Sequence, residues 1–91
     1  MRVLIFAEPE SVARAAADLV ARTVASRPQA VLALPTGRTA IPLYAELAAA
    51  RRRGELDLSQ AHAFNLDELR LPAGHPASFR AYMTRHAWGP L

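Results

Sequence analysis

The stretch Val31-Leu32-Ala33-Leu34-Pro35-Thr36-Gly37-Arg38-Thr39-Ala40 passes abruptly from an apolar run to a small, hydroxyl-rich turn, with a helical pattern opening behind it. Val31 to Leu34 read as a buried strand, which Pro35 stops. Gly37 lets the backbone approach a ligand. Thr39 stands where an N-cap falls, at a helix end whose free N–H groups and positive dipole attract an anion. The turn matches neither the longer Walker loop nor the three-glycine dinucleotide fingerprint, so it reads as a phosphate site without a nucleotide motif. Taken alone, an ordinary strand-to-helix turn with a threonine cap explains the same residues.

Thirty residues on, Ala61-His62-Ala63-Phe64-Asn65-Leu66 forms a second apolar run that empties into Asp67-Glu68. In open α/β sheets ligands bind outside the carboxyl ends of the strands, so both polar clusters are expected on one edge of the sheet, as one cleft. An isolated acid pair is also what a solvated loop carries.

Working outward, Val3 to Phe6 is a short apolar run that predicts a first strand. Glu8 to Ser26 opens with Pro9, Glu10 and Ser11 and spaces Val12, Ala16, Leu19, Val20 and Val24 along one helical face, until Arg27-Pro28 ends it. After the Thr-Gly turn, Ile41, Tyr44, Leu47 and Ala48 mark the inner face of a second helix. Pro42 is tolerated there in the first turn, and Gly54 closes the helix. Leu71-Pro72-Ala73-Gly74 is a loop. Ala77 to Trp88 predicts a last helix in which Phe79, Tyr82, Met83 and His86 share a core-facing stripe. Strands separated by helices of this length imply crossover connections and a mainly parallel, Rossmann-like α/β sheet with flanking helices. Three strands leave edges and at least one face undercovered.

Composition agrees. Ninety-one residues make one small domain at most, with burial between the roughly 60% of a 60-residue domain and the roughly 70% of a 150-residue one, so the core is expected to be thin. At 52% hydrophobic and 21% charged, the chain is too apolar for a disordered tail. All 11 basic residues are arginine, which lifts the pI to 10.6 although the net charge is only +3. Arg51-Arg52-Arg53 is the only basic run. It falls at a helix end, where cations favour the dipole and face solvent, and no nucleic-acid motif or aromatic pattern accompanies it. Neither nucleic acid nor a membrane surface is an expected partner. The absence of cysteine excludes disulfides and thiolate metal sites, and no His or acid pair has a recognised metal spacing. Arg2 to Ala7 is too short for a signal or a span and runs into Glu8 and Glu10, so a cytoplasmic address is expected. His62 reads as a hydrogen-bonded core or face residue, and His75 before Pro76 as a helix starter.

Several segments in register carry a family resemblance. Leu34-Pro35-Thr36-Gly37-Arg38-Thr39, Leu43-Tyr44 with Glu46-Leu47, Phe64-Asn65-Leu66-Asp67-Glu68, Leu71-Pro72, and His75-Pro76-Ala77-Ser78-Phe79 with Tyr82-Met83 follow the order and spacing of the glucosamine-6-phosphate deaminase (isomerase) family. Residues 1–30 agree only as a strand followed by a helix. The chain departs from the family at Leu69-Arg70, where an aromatic residue usually follows the acid pair, and at Arg38, where the family is commonly small. The downstream motif with the family's catalytic histidine is not in these residues, and none of His62, His75 and His86 matches it, so the resemblance implies that residues 1–91 are the N-terminal part of a single larger sugar-phosphate isomerase/deaminase-like α/β domain.

The resemblance implies conversion of glucosamine 6-phosphate and water to fructose 6-phosphate and ammonia without an organic cofactor, with a homo-oligomer as one expectation for the intact parent. It makes Asp67 the proton-transfer base and Glu68 its supporting neighbour. Thr36, Gly37, Arg38 and Thr39 would line the sugar-phosphate pocket. The 91 residues alone are expected to be inactive. A 6-phosphogluconolactonase-like hydrolase is similar in fold, but its usual arginine directly follows the acid pair where this chain has Leu69. The effector-binding domain of a sugar-responsive transcriptional regulator is the non-catalytic alternative.

Overall fold

The computed structural model describes all 91 residues. Helix α1 spans Pro9–Ser26. Pro9 lies in the first turn, where its missing N–H leaves no bond unmade, and Glu10 meets the positive end of the dipole. The helix stops at Arg27, which precedes a proline and is driven out of the helical region to φ −137° and ψ 83°.

Strands β1 (Val31–Leu34) and β2 (His62–Asn65) pair in parallel, Val31 opposite His62 and Leu34 opposite Asn65. Between them, helix α2 covers Ile41–Arg52 and is preceded by a 3₁₀ turn at Arg38–Ala40. The expected α/β architecture is present as a two-stranded parallel sheet with flanking helices. The expected first strand at Val3–Phe6 does not form. None of residues 1–7 takes part in a backbone hydrogen bond, and their apolar side chains are exposed. A strand exists only through the ladder it shares, and residues 1–7 join neither edge of the two-stranded sheet.

The face of α1 is also turned from its expected setting. Ala13, Ala17 and Val24 are buried, with Val20 and Ala21 packed at the margin, while Val12 and Leu19 remain exposed. The cause is α2, on which α1 packs and which buries Ala48 and Ala50 beside Tyr44 and Leu47. Alanine on both helices permits a close approach that Val12 and Leu19 would obstruct. Helix α2 ends at Gly54, whose φ of +76° is left-handed. There Glu55 N–H donates to Ala50 O at 2.9 Å and Gly54 N–H to Arg51 O at 3.0 Å, the paired bonds of a Schellman end. Arg51, Arg52 and Arg53 face solvent as expected, and Arg53 pairs with Glu55 at 3.0 Å.

Helix α3 covers Phe79–Met83 and continues as a π turn over Thr84–Trp88. It starts two residues later than the sequence predicts because Ser78 is the cap, its Oγ accepting from Ala81 N–H at 3.1 Å. His75 shapes the approach, its Nδ1 accepting from Ala77 N–H at 3.0 Å. Of the expected core stripe, Met83 is buried while Phe79, Tyr82 and His86 are half-buried.

The core is thin: 13 residues are buried, and Tyr44, Leu47 and Met83 are the largest fully buried side chains. It lies between the helices and one sheet face, which contributes Leu34 and Leu32. On the other face Val31 and Phe64 are 65% and 55% exposed, although parallel sheets ordinarily bury both faces. His62 lies on this open face, one of its two expected placements, but makes no side-chain hydrogen bond. No helix is long and apolar enough to cross a membrane.

Candidate active site

The parallel ladder ends with Leu66 N–H donating to Leu34 O at 3.3 Å, one step beyond the Leu34–Asn65 pair. The chain therefore leaves both strands at the same edge, as the turn 35–39 on one side and the loop 66–68 on the other. Gly37 adopts φ +100° and ψ 165°, a region that only glycine occupies without strain. The N–H groups of Thr36, Gly37, Arg38 and Thr39 donate to no acceptor within the chain. Runs of free backbone N–H groups at a strand–helix junction are the kind of feature that anions engage.

Carbonyls of the same turn, by contrast, are engaged. Tyr44, from α2, donates its hydroxyl to Pro35 O. Tyr82, from α3, donates its hydroxyl to Gly37 O, which also accepts from Ala40 N–H at 3.3 Å. The two tyrosines read from sequence as core residues and so escaped the list of site residues. For Tyr44 the signal is a phenol on an otherwise aliphatic buried stripe, because its hydroxyl needs a partner; half-buried Tyr82, beside Phe79 and His86, carries no such signal.

Thr39 does not cap a helix. The 3₁₀ turn starts from Gly37 and α2 from Ala40, neither with a side-chain cap bond, and Thr39 is exposed within the turn. The early tightening at Arg38–Ala40 moves the start of α2 past the position that the pattern marked. Arg38 is exposed and forms no ion pair. Arg38 and Thr39 line an open cleft of about 580 Å³ with Phe6, Ala7, Glu8, Pro9, Val12 and Pro42, and Asp67 is not part of it.

The two acids differ. Asp67 is exposed and its carboxylate makes no hydrogen bond or ion pair with the protein. Glu68 is fully engaged: its carboxylate accepts from the N–H groups of Leu69 and Phe79 at 2.7 Å and of Arg80 at 3.0 Å. The Phe79 N–H, then those of Leu69 and Arg80, hold its pKa below the usual carboxylate value. Such a carboxylate ties the acid loop to the start of α3, whereas Asp67 stays available.

The edge of a parallel α/β sheet thus carries free backbone donors on one side and an unengaged carboxylate on the other. The chain belongs to the family described as glucosamine-6-phosphate isomerases/6-phosphogluconolactonase, whose model matches residues 7–90. It is 44% identical over 86 residues to a glucosamine-6-phosphate deaminase of Hahella chejuensis, covering 93% of this chain and 33% of that protein. It is 45% identical over 92 residues to the deaminase of Cellvibrio japonicus, covering 100% of this chain and 35% of that protein. Among solved structures it resembles a monomeric glucosamine-6-phosphate deaminase of the NagB superfamily with a TM-score of 0.93 and 29% identity, over 100% of this chain and 38% of that one. The chain thus spans about a third of the length of the curated relatives it matches.

Proposed function

We propose that this chain supplies the phosphate-binding turn and the proton-transfer carboxylate of a glucosamine-6-phosphate deaminase, the activity that turns glucosamine 6-phosphate and water into fructose 6-phosphate and ammonia. The observation that carries the reading is the shared strand edge, which sets the free N–H groups of residues 36–39 beside the loop that bears Asp67. In this reading the substrate phosphate takes the free N–H groups, with Gly37 allowing close approach. Asp67 removes the proton at C2 of the ring-opened sugar and returns it at C1 through an enediol-like intermediate, as a suitably placed carboxylate can. Glu68, already committed to three N–H groups, positions the loop and does not carry the proton.

The family description covers a lactonase activity as well. The deaminase reading is favoured by the names of the relatives above and by Leu69 following Asp67-Glu68. Turnover calls for a histidine motif that His62, His75 and His86 do not match, so the 91-residue chain alone is expected to release no ammonia. A monomer in the cytoplasm suffices for this reading, the solved relative being described as monomeric.

The test is a titration of the chain with glucosamine 6-phosphate, glucosamine and inorganic phosphate, followed by backbone amide resonances. Both phosphorylated probes should shift residues 36–39 saturably, and only the sugar phosphate should also shift Asp67. No saturable response to any of the three would overturn the reading.

A further inference from the structure

The glycine turn and the acid loop are joined through a third element. Glu68 grips the first N–H groups of α3, at 2.7 Å to Phe79 and 3.0 Å to Arg80. Tyr82, within the same short helix, donates to Gly37 O. Its ring is set between Tyr44, edge to face with centroids 6.4 Å apart, and His86 at 4.7 Å, so packing directs the hydroxyl.

Peptide planarity turns this contact into an orientation. In a trans peptide the carbonyl of one residue and the N–H of the next lie in one plane and point in opposite directions. Tyr82 on Gly37 O therefore aims the Arg38 N–H to the opposite side, and Tyr44 on Pro35 O does the same for the Thr36 N–H. Gly37, the most freely rotating residue type, would otherwise let that peptide turn.

We propose that Tyr82 and Glu68 are positioning residues of this site, and that α3 is a brace fixing the direction of the Arg38 N–H relative to Asp67. The inference rests on the sugar-phosphate reading above, and goes beyond it by assigning two residues that touch no substrate.

The experiment uses the full chain with Tyr82→Phe, Glu68→Ala, Glu68→Gln and the double variant Tyr82→Phe/Glu68→Ala. Amide resonances and affinity for inorganic phosphate and glucosamine 6-phosphate are recorded for each. Tyr82→Phe removes one oxygen and should leave helix content unchanged while shifting the amides of both Arg38 and Asp67. Affinity should fall roughly two- to tenfold, the equivalent of one net hydrogen bond. Glu68→Ala should do the same, and Glu68→Gln, which keeps an acceptor, should recover part of the loss. Because both residues act through one helix, the double variant should bind no more weakly than the worse single variant. Additive losses, or an Asp67 amide indifferent to Tyr82→Phe, would overturn the brace. If the unsubstituted chain binds neither probe, the sugar-phosphate reading fails, and the paired amide shifts still decide the brace on their own.

Discussion

Tyr44 and Tyr82 meet edge to face, their ring planes at 74°, and their hydroxyls serve carbonyls two residues apart in the same turn. Burial pushes the Tyr44 phenol up to about 12, and Tyr82 beside it adds to the rise. Burial also raises Tyr82. A phenol kept neutral in the folded state but ordinary in the unfolded chain contributes stability that is complete below about pH 10. That contribution is lost as the pH rises from 10 to about 12, because the unfolded state then releases its proton first. The denaturation midpoint should fall across this window in step with tyrosinate absorbance, and Tyr44→Phe should flatten the fall. A wild-type midpoint level across the window would contradict the assignment.

Gly37→Ala should cost about 1–3 kcal/mol, since its backbone region is closed to other residues. An ideal Cβ there meets no atom within 4 Å, so the cost is conformational and not steric crowding. Thr39→Val should be nearly neutral in stability, because the hydroxyl caps nothing. Urea denaturation of both variants checks the pair, and a destabilised Thr39→Val would restore the cap.

Glu68 should titrate below the ordinary 4.5 of a glutamate. Its folded-state pKa is depressed, so its contribution is present above the unfolded value and is lost as the pH falls through the lowered one. Carboxyl carbon resonances followed through acid, together with the Phe79 and Arg80 amides, report the event directly. A Glu68 titration at or above 4.5 would show that the three N–H bonds do not hold in solution.

Asp67→Asn keeps size and hydrogen-bonding capacity while removing basicity. With residues 1–91 joined to the remaining two-thirds of a curated deaminase relative, it should preserve sugar-phosphate binding. Ammonia release and C2-proton exchange with deuterated solvent should drop by about 10²–10⁴-fold. Near-normal exchange would remove Asp67 from proton transfer.

The open sheet face and its two strand edges invite self-association. Light scattering should show the chain associating with concentration, and Phe64→Asp, which places a charge on that face, should reduce it. A monodisperse monomer at every concentration would refute this expectation.

The polar edge was legible in sequence because each strand ends in residues that cannot continue it: Pro35 after Leu34, and Asp67-Glu68 after Leu66. The Val3–Phe6 run misled because apolar residues report only what a segment would do within a ladder, and residues 1–7 join no ladder here. Thr39 failed as a cap because capping is exact to one residue, and a single 3₁₀ turn displaced the helix start. The part played by Tyr82 was out of reach of any local pattern, its partner lying 45 residues back along the chain. Glu68 looked identical in kind to Asp67 until α3 brought Phe79 and Arg80 to it.

The parallel register also says where this segment tolerates changes of length. Residues 53–61 enter the sheet at the end opposite the polar edge, so an insertion there leaves both strand ends level. Deleting one residue within His62–Asn65 would instead reverse the inward and outward side chains of β2, turning Phe64 toward the helices. It would also draw Asp67 back along the strand by about 3.3 Å. Insertions and deletions in homologous segments should therefore collect before β2, while the spacing from His62 to Asp67 stays constant.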